Sequence, residues 1–156
     1  MRRILLLLLL LWVAWDVGWT LAGVKPLFPW QLAEEYRRHN PDLVLLDVRT
    51  SAEFDWFHIP GAYHVPFRRL RARHLEIPKD KTVVVICLTG HRSSLVAWHL
   101  KKHGYREVYN LTWGMAGWEA YKFISGFSTG PKAPARETKQ VRVTPGLQAG
   151  DLPAYL

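Results

Sequence analysis

The chain has 156 residues, 49% of them hydrophobic and 22% charged, and carries a formal net charge of +8. That length allows one domain with an ordinary core, the composition excludes a disordered or fibrous chain, and the positive balance favours anionic partners, small anions as readily as nucleic acid. Cys87 is the only cysteine, so an intramolecular disulfide is excluded and the thiol is either inert or chemically active.

Met1-Arg2-Arg3 precede an apolar run from Ile4 to Trp15 that contains seven consecutive leucines, Leu5 to Leu11. A short basic segment ahead of an apolar one, followed by the small residues of Thr20-Leu21-Ala22, is the layout of an export signal. Two readings stand: residues 1–22 are a signal peptide cut after Ala22, or residues 4–24 form an uncleaved anchor with the membrane as partner. Either one places the domain outside the cytoplasm, in a periplasmic or other extracytoplasmic compartment.

Pro29 to Arg38 predicts a helix with Leu32, Ala33 and Tyr36 on one face, and its charge order, Glu34 and Glu35 before Arg37 and Arg38, suits the helix dipole. Asn40-Pro41 breaks it, and Leu43 to Leu46 reads as a buried strand ending in Asp47. Thr50 and Glu53 have the spacing of a capping box for a short helix, and Arg49 and Glu53 are spaced to pair across one turn. His58 to Gly61 reads as a loop and Ala62 to Val65 as a second short strand. His58 and His64 stand six residues apart, which fits no usual zinc spacing, so no metal is expected. Phe67 to Leu75 is read as a helix bearing Arg68, Arg69, Arg71 and Arg73. No aromatic residues are interleaved with these arginines, which makes them a solvated face, and no nucleic-acid partner is expected.

After the polar turn Lys79-Asp80-Lys81, Thr82 to Ile86 is a run of β-branched residues and predicts a strand buried on both faces. Cys87 falls at its C-terminal end. The six residues Cys87 to Arg92 lead into a helix over Ser93 to Lys102, with Gly104 as its stop. A sulfur at that junction meets loop N–H groups and the positive end of a helix dipole, both of which favour the thiolate. The competing reading is a buried, inert cysteine. Glu107 to Leu111 is a further strand and Ala116 to Ser125 a further helix. Strands alternating with helices predict an α/β fold, with a central, mostly parallel sheet and helices on both faces. In such sheets ligands bind beyond the carboxyl ends of the strands, where Cys87 and Asp47 lie. Residues 23–129 are thus read as the domain and 130–156, rich in Pro, Gly, Ala and Lys, as a flexible basic tail.

Cys87 to Ser93 has the pattern C-x-x-G-x-R-S, which resembles the active-site loop of the rhodanese family of sulfurtransferases. Asp47-Val48-Arg49 with Glu53-Phe54 looks like the family's D-V-R…E-F segment, and His58-Ile59-Pro60-Gly61-Ala62 like its H-I-P-G-A segment. Gly114 to Trp118 is similar to its closing G-G-x-x-x-W, with Trp113 where the first glycine is usual. The resemblance runs in order from about Pro29 to Lys122. It implies a rhodanese-like fold and a sulfurtransferase without cofactor, in which Cys87 carries a persulfide between a small anionic donor such as thiosulfate and a thiol or cyanide acceptor. Leu88, Thr89, Gly90, His91, Arg92 and Ser93 would bind the substrate, Arg92 orienting the donor's sulfonate, with Asp47, Arg49 and His58 as structural residues near the site. Two other functions stay open at this point. One is a non-catalytic binding or sulfur-carrier module; the other is a cysteine phosphatase of the same fold, against which the four-residue spacing between Cys87 and Arg92 speaks.

Overall fold

The computed structural model describes residues 2–70, 74–75, 77–129 and 143–144. Its centre is a five-stranded sheet in the order β1-β6-β5-β2-β3, formed by β1 (Lys25–Leu27), β2 (Leu43–Asp47), β3 (Tyr63–His64), β5 (Thr82–Ile86) and β6 (Glu107–Leu111). Every pairing in it is parallel. A separate two-residue ribbon joins β4 (His74–Leu75) antiparallel to β7 (Val143–Thr144).

The β-branched run of β5 makes it the central strand, and its period-2 alternation feeds two cores at once. Val83, Val85 and Cys87 face one core with Leu46, Val96, Ala97, Leu100 and Val108. Val84 and Ile86 face the other with Leu32, Ala33, Leu45, Met115 and Trp118. Helix α5 (His91–Lys102) covers the first face, and α2 (Pro29–Arg37) and α6 (Gly114–Ser125) cover the second. With both faces buried, strands of nearly unbroken apolar residues are the stable solution, as the sequence of β5 predicts.

Two helices begin earlier than their apolar patterns suggest. Helix α5 starts at His91 rather than Ser93 and α6 at Gly114 rather than Ala116. In both cases the preceding backbone turns through the left-handed region, at Gly90 (φ +96°) and at Trp113 and Gly114 (φ +62° and +54°), so strand and helix are joined by tight turns.

The arginine-bearing helix is shorter than expected. As α4 it covers only Phe67–Leu70, and His74–Leu75, read as its last turn, are a strand instead. Long-range ties override the local pattern there: His74 and Leu75 pair with Thr144 and Val143, and the Leu75 carbonyl accepts the Tyr105 hydroxyl at 2.8 Å. Arg68 and Arg69 are exposed, whereas Arg71 and Arg73 lie outside the described residues, as does the tail over 130–156 apart from Val143–Thr144.

Residues Arg2–Leu21 form one helix, α1. Its leucines Leu6, Leu7, Leu10 and Leu11 are exposed, while Trp19 packs against the α5-side core. Among the described residues no helix is long and apolar enough to cross a membrane, so the anchor reading draws no support from the fold.

Candidate active site

The carboxyl ends of β2, β5 and β6 meet at one edge of the sheet. Asp47 is in register with Ile86, Val85 with Asn110, and the Val48 N–H reaches the Ile86 carbonyl at 2.9 Å. Cys87 follows Ile86 and is fully buried. Its carbonyl and that of Leu88 accept the N–H groups of Met115 and Ala116, at 2.8 and 3.0 Å, so the first turn of α6 fixes the start of the cysteine loop. The approach is so close that a Cβ on Gly114 would stand 2.3 Å from the Cys87 carbonyl oxygen.

The loop divides into an inward and an outward set. Inward, the Gly90 N–H donates to Cys87 Sγ at 3.1 Å, and Ser93 Oγ lies 3.2 Å from the same sulfur. Both Gly90 and Ser93 are buried. The Gly90 N–H and the Ser93 hydroxyl thus both face the one sulfur from inside the loop. Outward, Leu88, Thr89 and His91 are exposed, with Thr89 Oγ1 3.0 Å from His91 Nδ1. The His91 ring also meets Trp15 of α1, their centroids 5.7 Å apart, so the N-terminal helix touches the rim of the loop.

Arg92 occupies the loop's end with 36% of its side chain exposed, and its Nη2 donates to Glu53 Oε1 at 2.9 Å. Glu53 comes from α3 (Ser51–Trp56), where it also closes the capping box with Thr50. The Arg92 hydrogen bond is the main reason that the Glu53 carboxyl is lowered to about 2, burial acting the other way. Glu53 in turn raises Arg92 above its ordinary value, with a smaller contribution from Cys87. The pairing read from the sequence, Arg49 with the Glu53 carboxylate, is not formed. Arg49 donates instead to the Glu53 backbone carbonyl at 3.0 Å.

Asp47 and Arg49 make a fully buried ion pair, Nη2 to Oδ2 at 2.8 Å, with Nε 3.0 Å from both carboxylate oxygens. The same guanidinium donates to the Phe57 carbonyl at 2.6 Å, so the pair laces β2 to both ends of α3. His58 is exposed and its Nδ1 lies 2.9 Å from the Phe54 carbonyl. His58 and His64 both stack on the Phe54 ring, at 4.0 and 4.3 Å. Two imidazoles cannot share one face of a ring at such distances, so Phe54 stands between them and they do not converge on a common ligand.

Two features of this edge escape the sequence reading. The first is the Glu53–Arg92 pair across 39 residues. The second is Asn110 of β6, a polar residue at an inward strand position, whose place in the apolar alternation of Glu107–Leu111 was the available signal. Trp113 and Gly114 both adopt left-handed φ where the closing motif has its glycine pair. For Trp113 that conformation costs about 1–2 kcal/mol, against which its ring packs on Phe28 and Trp30, with centroids 5.5 and 6.1 Å away.

The profile of the Rhodanese-like domain family matches residues 31–121. Among curated proteins, the thiosulfate sulfurtransferase GlpE of Coxiella burnetii is 33% identical over 98 residues, 63% of this chain and 87% of that protein. YrkF of Bacillus subtilis is 37% identical over 79 residues, 51% of this chain but only 43% of YrkF. Among solved structures, a Rhodopseudomonas palustris protein of unknown function superposes with a TM-score of 0.60 at 22% identity, covering 76% of this chain and 93% of that one, a likeness of fold alone.

Proposed function

Since the chain belongs to the rhodanese-like domain family, we propose that it is a sulfurtransferase in which Cys87 carries sulfur from a thiosulfate-like anion to a thiophilic acceptor. The observation that carries the reading is the convergence of the Gly90 N–H and the Ser93 hydroxyl on one sulfur, in a loop with only four residues between cysteine and arginine.

The cycle is a ping-pong displacement. The Cys87 thiolate attacks the outer sulfur of thiosulfate, the donor's S–S bond breaks, and its electron pair leaves with sulfite. The persulfide that remains carries its charge on the outer sulfur. Cyanide or a thiolate then attacks that outer atom, the Cys87–S bond breaks, and the electron pair returns to Cys87 Sγ. Arg92 is the group placed to orient the donor's sulfonate, sharing its fork with Glu53. Because Cys87 has no exposed surface, the donor reaches it only when the groups that cover the sulfur move aside. A persulfide needs room for a linear pair of sulfurs, whereas phosphoryl transfer needs a wider ring of N–H groups around three equatorial oxygens.

Mass spectrometry after thiosulfate treatment should show one added sulfur atom on Cys87, and cyanide should remove it as thiocyanate. Cys87→Ser should abolish both steps, and aryl phosphate hydrolysis should not exceed that of the Ser variant. Cys87-dependent phosphatase activity without sulfur transfer would overturn the assignment. Loading without turnover to any small acceptor would make the protein a carrier instead of an enzyme. The proposal extends to compartment: export directed by residues 1–22, for which the basic and apolar order of that segment is the support.

A further inference from the structure

Ser93 has one hydroxyl proton and three acceptors within reach: Cys87 Sγ at 3.2 Å, the Gly90 carbonyl at 3.0 Å and Asn110 Oδ1 at 2.6 Å. The Gly90 carbonyl is already served by the Ser94 hydroxyl at 2.8 Å. With its proton committed there, Ser94 Oγ has lone pairs to offer, and it accepts Asn110 Nδ2 at 2.9 Å. That bond fixes the amide's orientation and aims Oδ1, the acceptor end, at Ser93. Ser93, Ser94 and Asn110 are all buried, so no water competes for these groups.

We propose that Asn110 is a positioning residue that contends with the Cys87 sulfur for the Ser93 proton, so that Ser93 donates to sulfur only when the sulfur is charged. In the neutral thiol, and at the inner sulfur of a persulfide, Sγ is a weak acceptor and the proton goes to Asn110 Oδ1. When Sγ is a thiolate, before attack and again as it leaves the transferred sulfur, a charge-assisted bond is the stronger one and the proton turns to it. No covalent bond changes in this switch; one O–H rotates between two acceptors. The catalytic consequence rests on the sulfurtransferase reading, but the proton sharing itself does not.

The test follows thiolate formation by ultraviolet absorbance, with no sulfur donor present, in a protein with a single cysteine. Replacing Asn110 removes the competitor that serves the neutral form. Asn110→Val should therefore lower the pH midpoint by about 0.5 to 1 unit, the size expected of one hydrogen bond. Ser93→Ala should raise it by a similar amount, and the double variant should behave as Ser93→Ala does. Ser94→Ala, a mild change that releases the amide to turn its NH2 toward Ser93, should shift the midpoint downward as well, which keeps the test open if Asn110→Val folds poorly. Other ionisable groups around the loop, Arg92 and His91 of α5, Glu53 of α3 and the Asp47–Arg49 pair at the end of β2, are the same in every variant. A merely structural role for Asn110 would move the midpoint upward or not at all, or by the same amount with Ser93 absent, and any of these results would refute the switch. If instead the shifts occur but thiosulfate loads no sulfur, the switch stands and the sulfurtransferase reading fails.

Discussion

Glu53 is tied to Arg92, and the sign of its pH effect follows from its lowered carboxyl. A group held at about 2 when folded and near 4.3 when unfolded adds stability that is complete above the unfolded value and is lost as pH falls toward 2. Both partners are partly exposed, so solvent screening limits the contribution to about 1 kcal/mol or less. Urea midpoints of the native protein should thus drop relative to Glu53→Gln between about pH 5 and pH 2, and a constant difference over that window would show that the pair adds nothing. Asp47–Arg49 is the opposite case because both side chains are completely buried. Arg49→Met leaves an unpaired carboxylate in the core and should cost about 3–5 kcal/mol, whereas replacing both residues by apolar ones of similar volume should cost much less. Denaturation of the single and double variants measures the difference.

At the scale of elements, the junction of β6 with α6 governs the cysteine loop as much as the loop's own residues do. Gly114 combines φ +54° with backbone atoms of Cys87 and Leu88 at 2.3 and 2.6 Å from any added Cβ, and backbone cannot yield as a flexible side chain would. Gly114→Ala should therefore destabilise the protein by at least about 3 kcal/mol, the strain of the conformation adding to the clash. The surviving folded fraction should show altered Cys87 reactivity toward thiosulfate, because α6 holds the carbonyls of Cys87 and Leu88. Native-like stability and loading in that variant would mean that the two segments are not rigidly coupled. The shortened α4 teaches a related point: the local pattern favoured helix through Leu75, but pairing of His74 and Leu75 with the distant β7 fixes an extended backbone.

At the scale of the whole molecule, the N-terminal helix leaves several of its described apolar side chains exposed. Leu6, Leu7, Leu10 and Leu11 stay exposed, while Trp15 meets His91 of the cysteine loop and Trp19 packs against the α5-side core. A fusion of residues 1–30 to a reporter that functions only outside the cytoplasm should be active. A silent fusion, matched by an active one built with a cytoplasmic reporter, would remove the export proposal. High-salt washing of membranes then distinguishes a cut signal, which releases the protein, from an anchor, which retains it.

Strands β2, β3, β5 and β6 were legible in the sequence because burial demands apolar runs such as Thr82 to Ile86, and the capping box of Thr50 and Glu53 is a local device written in four residues, whereas β1 and β7 were not read and β4 was read as helix. The place of Cys87 at the end of a central strand was legible for the same reason, since a strand's end and a helix's start are read from nearby residues. Partners across long separations were not. Glu53 was read as the companion of Arg49, four residues away, but Asp47, held rigidly on the end of β2, presents both carboxylate oxygens to that guanidinium and leaves Glu53 free for Arg92. Asn110 gave no motif at all, and only the register of β6 against β5 carries its amide to Ser93 and Ser94. Local preferences thus settled the central strands and the helices beside them, but not the short strands β1, β4 and β7. Side-chain partners were decided by tertiary packing, because a buried polar group must be satisfied by whatever donor or acceptor the fold brings beside it, however distant in the chain.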